Sequence, residues 1–135
     1  MVRKFEFKKA YEEIEIDGKI YRFNTDDESL FKYQEELTAH GKKMTELSRR
    51  DDLEEKDIYE QNIALFKEIL KLIFNQDCFE DIYAAAGKSL FGLIDLVDYL
   101  GDIIREKVSE RQRKNLQAQQ NQFSSKRRKG KNKRK

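Results

Sequence analysis

The chain has 135 residues, of which 38% are hydrophobic and 40% charged, with no Pro, no Trp and only 6 Gly. That is material for one modest core and a composition that favours long helices over a many-turned sheet, so one domain is expected. The net charge of +2 hides an asymmetry: residues 105–135 carry 13 Lys/Arg against 2 Glu, net +11, and residues 1–104 carry 15 basic against 24 acidic residues, net −9. Cys78 is the only cysteine, which excludes an intrachain disulfide and a multi-cysteine metal site and suits a reducing compartment.

The start, Met1-Val2-Arg3-Lys4-Phe5-Glu6-Phe7, lacks the apolar run of a secretory signal, and no apolar segment approaches the ~20 residues of a membrane span, so a cytoplasmic protein without membrane contact is expected. Residues 12–23 alternate in polarity on both sides of Asp17-Gly18, a pair that supplies the positive φ angles of a type I′ turn. This predicts a β-hairpin with Ile14, Ile16, Ile20 and Phe23 on or near one face, and Phe5 and Phe7 as candidates for a third strand.

Asn24 to Asp27 offers N-caps for a first helix over 26–49, carrying Leu30, Tyr33, Leu37, Met44 and Leu47 at helical spacing, with Gly41 as a place for a break. Asp51-Asp52 marks the start of a second helix over 52–75. Its stripe of Ile58, Leu65, Phe66, Ile69, Leu72 and Ile73, widened by Leu70 and Phe74, exceeds half the circumference. Its second half is therefore expected to be covered on two sides, by other helices or another subunit. A short helix with Phe79, Ile82 and Tyr83 ends at Gly87, and Ser89 caps a long fourth helix with Leu90, Leu93, Ile94, Val97, Leu100, Ile104 and Val108 on one stripe. The expectation is a mainly α protein: an N-terminal β-hairpin, a bundle of about four helices over 1–108, and a polar, basic C-terminal extension over 109–135. The last ten to twenty residues hold too little apolar surface to repay ordering and are expected to be disordered when alone.

Site chemistry is sparse. His40 lies in a charged helix, where a solvated histidine is the expectation, and Cys78 reads as a small packed thiol. The paired acids read as helix starts and solvated faces. Asp95, Asp98 and Asp102 form an acidic line beside the fourth stripe, either its solvent face or a charged rim around a partner groove. Ala86-Gly87-Lys88-Ser89 has Ile82 where a phosphate-binding loop needs its first glycine, so a nucleotide site is rejected. No catalytic, cofactor or metal constellation emerges, and a protein that binds other proteins is expected instead of an enzyme. The apolar residues Leu93, Ile94, Val97, Leu100 and Ile104 are its expected contact surface. Lys126, Arg127, Arg128, Lys129, Lys131, Lys133, Arg134 and Lys135 form an electrostatic tail able to meet nucleic acid, without sequence specificity, or an acidic protein surface.

The Phe/Lys-rich start, the hairpin Ile14-Glu15-Ile16-Asp17-Gly18-Lys19-Ile20-Tyr21, the acids Asp26-Asp27, and Leu30-Phe31-Lys32-Tyr33 together resemble the tail assembly chaperones of long-tailed phages and prophages of Gram-positive bacteria. The similarity is one of pattern over most of the chain. It implies a helical, self-associating protein of the bacterial host cytoplasm that coats the tape-measure protein until tail-tube subunits assemble around it. It also implies that this is the short form of a pair, the longer being made by ribosomal frameshifting and recruiting the tail-tube protein. The alternative is a nucleic-acid-binding accessory protein acting through its basic tail.

Overall fold

The computed structural model describes residues 1–133, with side chains as far as Asn121. Two strands, β1 (Tyr11–Ile16) and β2 (Lys19–Asn24), precede four helices: α1 (Asp27–Ser48), α2 (Glu55–Phe74), α3 (Phe79–Ala85) and α4 (Leu90–Lys133).

Asp17 and Gly18 take φ of 51° and 80°, the left-handed pair that a two-residue primed turn requires. The turn fixes the register at Ile16↔Lys19, Ile14↔Tyr21 and Glu12↔Phe23. Directly opposed residues share a face, so the inner side carries Ile14, Ile16, Tyr21 and Phe23. Ile20 pairs with Glu15 on the outer side and is 64% exposed, contrary to the expectation that it faced inward. A one-residue difference in register parity moves a side chain to the other face. No third strand forms from Phe5 and Phe7, which stand exposed and pack edge-to-face on each other at 4.9 Å.

Asp26 caps α1 by accepting a hydrogen bond from the Ser29 N–H at 3.2 Å. The helix runs through Gly41 without a break and buries Leu30, Tyr33, His40 and Leu47, with Leu37 and Met44 half-buried between them. α2 begins three residues later than Asp52 suggested: the Asp52 carboxylate is held by the Arg50 guanidinium at 2.7 and 2.8 Å, and Glu54 occupies the N-cap without a side-chain bond. Asn75, at φ 53°, ends the helix in the left-handed conformation.

The surplus apolar surface of α2 is taken up within the chain. Tyr21 and Phe23 of the hairpin lie 5.3 and 6.2 Å from the Phe74 ring, while α1 and α3 pack elsewhere on the helix. Phe66, Leu70 and Ile73 are thereby almost wholly buried without a second subunit.

α3 ends in a Schellman motif: the Gly87 N–H donates to the Ala84 carbonyl at 3.0 Å and the Lys88 N–H to Tyr83 at 2.8 Å, with Gly87 at φ 70°. The turn then brings α4 so close that a Cβ on Gly92 would lie 2.9 Å from the Ala86 Cβ.

α1 contacts both α2 and α4, which makes it the middle element of the bundle. Two basic side chains of α4 tie it to the hairpin end of the body. Lys107 reaches Glu12 at 2.7 Å, and Arg111 meets the Asp27 carboxylate and donates to the Thr25 carbonyl. Beyond Arg111 the helix leaves the body, and residues 112–121 are exposed on every side. No Gly or Pro interrupts this stretch, and Arg, Gln, Lys, Leu and Ala are all good helix formers, so the helix outlasts its apolar stripe. The disorder expected of the final residues falls chiefly on Lys126–Lys135, whose side chains lie outside the described residues.

Candidate functional site

The structure places four of the five apolar residues expected to contact a partner inside the core. Leu93, Leu100 and Ile104 have no exposed surface and Val97 only 8%, so in this fold they hold α4 to the body and present nothing to a client. A stripe at three- and four-residue steps is the pattern both of a core face and of a docking face, and the bundle uses it as core. Ile94 is only half-buried. With the edge of Val97 it reaches a groove of ≈190 Å³ between α1 and α4, whose other walls include Leu37, Gly41, Met44 and Gly101. The groove continues along Gln34, Thr38 and Arg105. Phe31, one turn before Gln34 on α1, is 65% exposed. Gly41 and Gly101 leave it open, one on each wall. On the far side of α1 a second cleft, ≈340 Å³, has the more charged mouth of Lys32, Glu36, Lys43 and Glu68.

His40 forms the common floor of the two clefts and is buried, correcting the expectation of a solvated side chain. Its position completes a three-four spacing from Leu30 to Leu47 that its polarity disguised. The imidazole stands edge-on to Phe66 at 4.7 Å, and its Nε2 has no hydrogen-bond partner. Burial pushes its pKa below the ordinary 6.5, Lys43 pushes the same way, and Glu68 opposes them.

Other large apolar side chains remain on the surface of α4: Phe91 is 80% exposed, Tyr99 55% and Leu116 58%. Asp95, Asp98 and Asp102 lie exposed on the same helix, with Asp98 also bordering the α1–α4 groove and Asp102 paired to Arg105. Lys88 sits in the turn that closes α3, and its backbone is spent on the Schellman bond. Cys78 is buried, and burial raises its thiol pKa, as a packed sulfur requires. Among the described residues no group of His, Cys, Asp and Glu is placed to hold a metal, and no helix is long and apolar enough to cross a membrane. The eight basic residues of the electrostatic tail, Lys126 to Lys135, lie outside the residues whose side chains are described.

No protein-family model matches this chain, nor does any curated protein or solved structure. Sequence reasoning missed the α1–α4 groove because it is made by what two helices lack, the side chains of Gly41 and Gly101. A glycine on each of two helices destined to pack together was the available signal.

Proposed function

We propose that this chain is an assembly chaperone of the phage tail type, which self-associates and shields a long helical client, the tape-measure protein, until tube subunits replace it. The observation that carries this reading is the α1–α4 groove, lined by the apolar Leu37, Met44 and Ile94 with Asp98 and Arg105 among its charged walls, and an exposed Phe31 one turn before Gln34 on α1. A channel between two helices, opened by glycines, accepts side chains of a third helix at three- and four-residue steps. The hairpin-then-bundle order also agrees with the resemblance drawn from the sequence.

The test is capture of a purified tape-measure-like helical fragment by the full chain, across a salt series. Apolar contact persists when screening shortens well below the ~8 Å of physiological ionic strength. Phe31→Asp and Gly41→Leu, the second filling the groove, should each leave helical content unchanged and weaken capture at least tenfold. Capture that vanishes with added salt, together with salt-sensitive RNA or DNA binding lost on removing residues 126–135, would replace this reading with that of a nucleic-acid accessory protein.

A further inference from the structure

The outer side of α4 carries a second stripe, whose Asp98 and Arg105 also border the α1–α4 groove. Phe91, Asp95, Asp98, Asp102, Arg105, Ser109, Gln112 and Leu116 recur at alternating steps of four and three, and all are exposed. Steps of four and three keep these residues on one side of the helix, a seam where their charges can face a neighbouring helix. The seam has an apolar residue at each end, Phe91 and Leu116, and its charge is divided at its middle. Residues 91–103 hold three acids and no base, net −3, and residues 104–116 hold five bases and two acids, net +3.

The geometry points to a second copy of this chain as the occupant of that seam, lying antiparallel along α4 about a two-fold axis between Ile103 and Ile104. The inference deepens the self-association proposed above and rests on it, but not on the identity of any client. In this register Phe91 of each copy meets Leu116 of the other, and Asp98 meets Ser109. At the axis the Asp102 and Arg105 pairs of the two copies form one ring of alternating charge. The −3 half of each helix lies against the +3 half of its neighbour, twice over. A parallel pair would set like charge on like charge along the whole seam. The two-fold also gives the overhang a role. Residues 112–121 leave the body with no contact of their own, and a lone helical segment of that length is marginal in water. In the pair, the beginning of the overhang packs against the first turns of the neighbour's α4.

The closing experiment reverses charge on exposed positions of the full chain. Asp95→Lys/Asp98→Lys turns the −3 half to +1, and Arg113→Glu/Lys114→Glu turns the +3 half to −1. Each double variant should keep wild-type circular dichroism and lose self-association at least tenfold in sedimentation equilibrium. Mixed one to one, the two should associate again, because both seams of the mixed pair are then complementary. Asp98→Cys/Ser109→Cys should form a covalent dimer on mild oxidation, and neither single cysteine should, native Cys78 being buried. Variants that associate like wild type, a mixture that stays dissociated, or cross-linking by Ser109→Cys alone would overturn the antiparallel pair. If the chain forms oligomers indifferent to all these changes, self-association stands and this seam falls. If the wild-type chain is monomeric at tens of micromolar, both fall.

Discussion

Replacing His40 by leucine probes a buried polar side chain whose Nε2 has no hydrogen-bond partner. The imidazole is 7% exposed and its Nε2 is unpaired, a condition that costs about 1–3 kcal/mol. Leucine keeps the apolar contact with Phe66 and forfeits the edge-to-face term, worth about 0.5–1.5 kcal/mol. The balance near neutral pH is a gain of about 1 kcal/mol, or roughly 4 °C in the melting midpoint. Acid separates the two proteins further. Burial, seconded by Lys43 and partly opposed by Glu68, holds the folded pKa below 6.5, so under that pH the unfolded chain binds more protons than the folded one. The neutral imidazole's contribution is complete above pH 6.5 and is lost as the pH falls towards the depressed folded value, with a limiting slope of ~1.4 kcal/mol per pH unit. Thermal melts on either side of pH 6.5 should show the wild type losing stability faster than the variant. If the variant loses as much on acidification, or is less stable near neutrality, the Nε2 is satisfied and carboxylates dominate the acid response.

The hairpin and the four helices were legible because their signals are local: Asp17-Gly18 selects its turn, and each apolar stripe repeats within its own helix. What the stripes face was not legible. Leu93, Val97, Leu100 and Ile104 have a periodicity that serves a core and a docking surface equally, and only the position of α1 decides for the core. His40 is the converse case, a core position hidden by a polar residue whose neighbours Leu37 and Met44 had already marked the face. Ile20 shows the limit of alternation in a hairpin: with apolar residues on both sides of Tyr21 and Arg22, only the pairing across the turn says which is buried. The links from Lys107 to Glu12 and from Arg111 to Asp27 join residues 95 and 84 positions apart, and nothing local in the sequence announces them. The length of α4 was underread for a related reason, since its apolar stripe stops near Val108 while helix propensity continues.

Three further substitutions test the local reading. Gly41→Ala should stabilise the fold by up to ~1 kcal/mol, because an added Cβ meets nothing within 4 Å and alanine is the better helix former; an unchanged or lower chemical-denaturation midpoint would contradict this. Asp26→Ala should cost about 1 kcal/mol through loss of the Ser29 cap, measured in the same way, and an unaltered midpoint would show that another group caps α1. Gly92→Ala is the same exchange as at Gly41 with the opposite expected sign. Here the new methyl would stand 2.9 Å from the Ala86 Cβ and 3.2 Å from the Ala86 carbonyl oxygen, so α3 and α4 must separate or the turn must shift. Overpacking of this kind costs about 1–3 kcal/mol, which exceeds the gain of up to ~1 kcal/mol in helix propensity and leaves a net loss. Ala86→Gly in the Gly92→Ala background removes the nearer of the two contacts and leaves the carbonyl. The double variant should therefore recover part of the loss attributed to packing, after correction for Ala86→Gly alone. Additive losses would mean that the two helices do not touch at Gly92, and the close approach of α4 to the end of α3 would then be wrong.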